Sequence, residues 1–134
     1  MIWMIRKFID PQADIAILPE NEVMAYAEQH GATPFHHPQA AIRHQGSRTG
    51  FDGLRVAYDI TDPAIALMSM VLRGAETSDK SLTQWSPGLA AITSGMRNVA
   101  QSDDAYLAAV TPLLDGLYRW CQDQLVNPGK AARE

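Results

Sequence analysis

The side chains best suited to chemistry in this sequence fall into two sets. Arg6, Lys7, Arg43, Ser47, Arg48 and Arg73 form the first. Guanidinium forks, an ammonium and a hydroxyl give charge-assisted, directional donors, which suit a tetrahedral oxyanion. Gly46 and Gly50 flank Ser47 and Arg48 and allow a ligand close to the backbone. The plainer reading pairs Arg6 with Asp10 and leaves the loop arginines to solvent, since surface ion pairs are common and weak. The second set is His44, Glu76 and His36, with His37 and Asp79 nearby in sequence. Imidazole with carboxylate suits zinc, iron or manganese. The spacing matches no established metal signature, and the plainer reading is histidines that bond to loop backbone. An acid–base pair of Asp52 and His44 would need spatial closeness that spacing does not supply. No nucleophile elbow, phosphate-binding loop or dinucleotide fingerprint is present.

These residues need elements to hold them. Ile2, Ile5, Phe8 and Ile9 lie on one side of a first helix that Asp10-Pro11 ends. Ala13 to Leu18 reads as a short strand closed by Pro19. Glu20 and Glu22 open a helix where its dipole favours negative charge, and Gly31 suits its stop. Residues 32–50 are the least regular, with a second short strand expected over Ala40 to His44. The remainder reads as helix. Phe51 to Tyr58 is one segment. Thr61-Asp62-Pro63 starts a second, with Ala64, Leu67, Met68, Val71 and Leu72 as its stripe and Gly74 as its end. Ser86-Pro87 starts a third, striped by Leu89, Ile92, Met96 and Val99. Ser102 starts a fourth, along which Tyr106, Val110, Leu113, Leu114, Leu117 and Cys121 recur. Pro112 either kinks it or caps a new helix. The expected fold is α+β and mainly helical, with about five helices and a two- or three-stranded sheet near the N-terminal end. It forms a single domain over 1–126, followed by a flexible tail over 127–134.

Composition narrows the classes. The chain has 134 residues, 46% apolar and 19% charged, with a net charge of −4. That is a globular balance able to bury a core, and nothing in it makes nucleic acid the default partner. The single cysteine, Cys121, rules out an internal disulfide and is expected to be a buried structural thiol. No apolar run approaches the roughly 20 residues of a membrane span. The first residues do not read as a signal peptide, so a cytoplasmic location is expected. The apolar first helix is an expected homodimer contact.

Three stretches stand out together: Trp3-Met-Ile-Arg-Lys-Phe-Ile-Asp-Pro11; Gly31-Ala-Thr-Pro-Phe35 with His44-x-Gly46 and Phe51-Asp52; and Thr61-Asp-Pro-Ala64, Val71-Leu-Arg-Gly-Ala75 and Leu117-Tyr-Arg-Trp-Cys121. In this order they resemble the ChrB C-terminal domain family. The sequence departs from the family pattern at Thr49, where the family has cysteine, and at His36 and Glu76, where it has aspartate. The Cys-Pro lead-in before the tryptophan is also missing, so thiol chemistry is not expected. The resemblance implies a role in chromate resistance. Among the candidates, His44 keeps a family position and Glu76 keeps the carboxylate.

Overall fold

The computed structural model describes residues 1–128 and is helical without a sheet. It divides into two compact units, Met1–Ile60 and Thr61–Glu134. The expected tail lies outside the described residues from position 129 onward.

The first unit begins with α1, Ile2–Met4, which runs on into a π-helical turn, Ile5–Ile9. The Asp10 amide donates to the Ile5 carbonyl at 2.8 Å, the wide spacing of a π turn. Asp10, held extended ahead of Pro11 (φ −149°), stops the helix. The widened turn changes which side faces inward: Trp3 and Met4 are buried, while Ile2, Ile5, Phe8 and Ile9 are only half-buried. Helix α2, Glu20–His30, closes on Gly31 in the left-handed conformation (φ 61°), with the Ala32 amide reaching back to the Ala27 carbonyl. Helix α3, Gly50–Ala57, follows the irregular loop.

Neither expected strand forms among the described residues. Residues 13–18 are apolar apart from Asp14, but a lone strand has no neighbour to take its amides, and Ile17 stays exposed. Between 35 and 48 only two isolated bridges exist, Phe35 with Ile42 and Gln45 with Arg48. The second is a tight turn in which the Gln45 and Arg48 backbones exchange bonds of 2.9 and 3.0 Å across Gly46 (φ 59°) and Ser47. With Pro38 and this turn in so short a stretch, no ladder extends.

The second unit has three helices: α4, Pro63–Glu76; α5, Ser86–Val99; and α6, Asp103–Val126. Helix α4 packs against both others, and α5 packs against α6. Asp62 caps α4 by accepting from the Ala64 amide at 2.7 Å, and its second oxygen accepts from the Tyr118 hydroxyl at 2.6 Å. One carboxylate thus starts one helix and ties it to another. Gly74 does not end α4, which continues to Glu76. A Cβ at Gly74 would collide with the Ser86 side chain, so the glycine is there for close helix approach. Ser86 is the first residue of α5 rather than its cap. Trp85 is the N-cap and offers no side-chain bond; Thr83 Oγ1 accepts the Ser86 amide at 3.1 Å, while the Ser86 hydroxyl donates to the Val71 carbonyl at 2.9 Å. Ser102 caps α6 as expected, and α6 passes through Pro112 as one helix.

Gly74→Ala should therefore lower the stability of the second unit by roughly 1–3 kcal/mol through overpacking. The check is a lower urea midpoint with an unchanged slope. A midpoint equal to wild type would mean that Ser86 moves aside freely.

Candidate functional site

The first unit concentrates most of the candidate side chains around the start of α3. Its sequence Thr49-Gly-Phe-Asp52 forms a reciprocal cap. The Asp52 amide donates to Thr49 Oγ1 at 3.2 Å, while the Thr49 amide and hydroxyl both donate to Asp52 Oδ2 at 3.0 Å. Both residues are buried. A buried carboxylate is tolerated only when donors surround it, and the cap supplies them. Next to it, Phe51 stacks on Trp3 (centroids 6.5 Å apart, planes 20° apart), and Phe8 meets Trp3 edge-on at 6.1 Å. Gly50 receives the Met1 side chain. Helices α1 and α3 are joined by these contacts.

The cations around this core differ in how far they are committed. Lys7 Nζ lies 5.4 Å over the Trp3 ring, a cation–π contact. Arg43 is half-buried and donates to the Ala40 carbonyl at 2.6 Å, so it closes the 40–43 turn. Arg6, on the π turn, and Arg48, at the foot of the Gln45–Arg48 turn, are both exposed. Neither guanidinium has a hydrogen bond or ion pair to another described residue. Asp10 accepts instead from the Gln12 amide at 2.9 Å, so the Arg6–Asp10 pair does not form. Ser47 is exposed within the same turn as Arg48.

The histidines are placed less favourably. His44 is exposed and makes no bond to Asp52. His36 is also exposed, held at a left-handed φ of 60° while its amide donates to the Ile42 carbonyl. His37 Nδ1 accepts from the Gln39 amide at 3.1 Å, a loop-bracing role. Glu76 and Arg73 belong to α4 in the second unit, Glu76 exposed and Arg73 half-buried. Among the described residues, no three His, Cys, Asp or Glu side chains come together as metal ligands. No helix of the described residues is long and apolar enough to cross a membrane.

The reciprocal Thr49–Asp52 cap was not read from the sequence, although Thr-x-x-Asp ahead of an apolar run is its signal. Cys121 is fully buried on α6, and burial pushes its thiol from 9.0 up to about 11. Such a thiol is not a nucleophile at neutral pH. Ellman's reagent should therefore leave Cys121 unmodified in the folded protein and titrate one thiol in urea. Because the folded pKa is raised, the associated stability is complete below pH 9 and lost as pH rises toward 11. Rapid modification of the folded protein at neutral pH would contradict this burial.

Comparison with known proteins gives consistent matches. Residues 1–121 match the family described as ChrB, C-terminal domain. Protein ChrB of Cupriavidus metallidurans is 29% identical over 117 residues, covering 87% of this chain and 35% of that protein. The chain therefore spans about a third of the length of that relative. No solved structure matches it.

Proposed function

We propose, because this chain belongs to the family of ChrB C-terminal domains, that it acts in chromate resistance by binding a tetrahedral oxyanion on its first unit. The observation that carries this reading is the pair of exposed, uncommitted guanidinium groups, Arg6 and Arg48, beside Lys7 and Arg43, which are engaged. An exposed arginine without a partner keeps its full fork of donors for an incoming dianion. Ser47 and the Gly46 backbone sit beside Arg48 in the same tight turn and add neutral donors. Lys7 contributes charge from its place over Trp3, and Arg43 fixes the turn from behind. The domain works in the cytoplasm, where chromate taken into the cell would meet it. Arg73 lies in the other unit and is not needed for this surface.

A second reading has His44 and His36 hold a divalent metal, zinc, iron or manganese. It is supported by the kept family position of His44 and by the exposure of both side chains. Elemental analysis of tag-free protein separates the two readings. Near-stoichiometric metal that is lost in His44→Ala favours the second.

The first reading is tested by thermal unfolding with chromate, molybdate or sulfate at matched ionic strength. A ligand at one hundred times its Kd stabilises by about 2.7 kcal/mol, a shift of several degrees for a chain of this size. The shift should exceed that given by chloride and should vanish in Arg48→Ala and shrink in Arg6→Ala. Equal melting temperatures with tetrahedral dianions and with chloride would refute oxyanion binding.

A further inference from the structure

The outer face of α5 is the largest feature of the fold that the oxyanion reading leaves unused. The stripe Leu89, Ile92, Met96, Val99 would bury a helix of this kind, but only Leu89 is buried. Ile92 is 52% exposed and Val99 78% exposed. Trp85, one heptad before Ile92, is 41% exposed, held edge-on to Trp120 at 4.6 Å. Trp85, Ile92 and Val99 thus repeat every seven residues along one side.

Between them lie Gly88, Ala91 and Gly95, all exposed. A Cβ at Gly88 or Gly95 would meet nothing within 4 Å. Neither glycine is required by packing among the described residues, and neither has a positive φ. Glycine inside a helix disfavours it relative to alanine, so two such positions on one exposed face leave a loss that nothing among the described residues offsets. Close approach of another helix would offset it.

We propose that this face pairs with the same face of a second copy of the chain. Three features select that occupant. The large residues and the glycines are both centred near Ile92. A second α5 running antiparallel about a two-fold axis there therefore sets Ile92 of each copy into the hollow bounded by Gly88, Ala91 and Gly95 of the other. The face needs no other sequence to complement it. Helix α5 also carries no acidic residue, and its one cation, Arg97, lies 5.0 Å over the Tyr106 ring. Two copies therefore meet without like-charge repulsion, and a charged partner would find nothing to pair with. Finally, a helix pair this short belongs at the small end of specific interfaces, below about 1,200 Å² in total. The association is accordingly reversible and concentration-dependent.

Sedimentation velocity of the full chain, from low micromolar to several hundred micromolar, tests this. The wild type should shift from one-chain to two-chain mass across the series. Ile92→Glu and Gly95→Leu should each weaken association at least tenfold while keeping the wild-type circular dichroism, since both positions open to solvent. Gly116→Ala provides the control. Gly116 is an equally open helical glycine, on α6 beside the exposed Asp115 and Arg119, and its replacement should leave association unchanged. A wild type that stays at one-chain mass throughout, or association that either variant retains within threefold, would overturn the proposal.

Discussion

A carboxylate taken out of water must be met by donors, and the first unit is organised around meeting that demand at Asp52. The Thr49 amide and hydroxyl satisfy one of its oxygens, and in return Thr49 Oγ1 takes the Asp52 amide. Losing one half of such a pair would cost the other its buried bonds to that half, which is why the cap holds as a unit. Its position fixes what lies on either side. Upstream, it anchors the Gln45–Arg48 turn and so places Arg48 at the surface. Downstream, it starts α3 and presents Gly50 and Phe51 to Met1 and Trp3. The helix carrying Arg6 and Lys7 is held through those two contacts. The surface proposed to bind an anion thus rests on one buried acidic residue that has no direct part in binding.

The second unit uses polar atoms in a comparable way. Asp62 divides its oxygens between the first turn of α4 and the Tyr118 hydroxyl of α6. Burial and the Asp62 carboxylate push the Tyr118 phenol up to about 12, so the link persists well above neutral pH. Ser86 fills the notch at Gly74 and bonds to a carbonyl of α4. The apolar core of α4, with Ile65, Met68, Val71 and Leu72, does the bulk of the burying. The polar links fix which faces of the helices meet. What they leave outside is the ridge of α5.

Much of the helical part was legible. Asp62-Pro63 and Ser102 announce their helices because a short polar side chain and a fixed φ act locally and need no neighbour. Gly31 ends α2 for the same kind of reason. The expected sheet does not form because a short apolar run closed by proline establishes only that a segment can be extended. Pairing depends on a partner elsewhere in the chain, and residues 32–50 do not supply one. A glycine near a helix end suits a stop and a close helix contact equally well, as at Gly74. Only the presence of Ser86 shows that it is a contact. The stripe of α5 had helical periodicity without a core to face, a distinction that depends on where the other helices lie. For the site, residue type picked out Arg6 and Arg48 as donors. That Arg6 stands apart from Asp10 and that Arg43 is spent on Ala40 followed from the turn geometry alone.

Backbone amide spectra of the nitrogen-labelled protein, recorded by NMR during titration with molybdate and then chromate, test the anion surface at single-residue resolution. Saturable shifts should concentrate on the amides of Gly46 to Gly50 and on the turn carrying Arg6 and Lys7, with α4 and α6 unmoved. Shifts absent at saturating dianion, or confined to the segment from Arg73 to Asp79, would contradict an oxyanion site on the first unit.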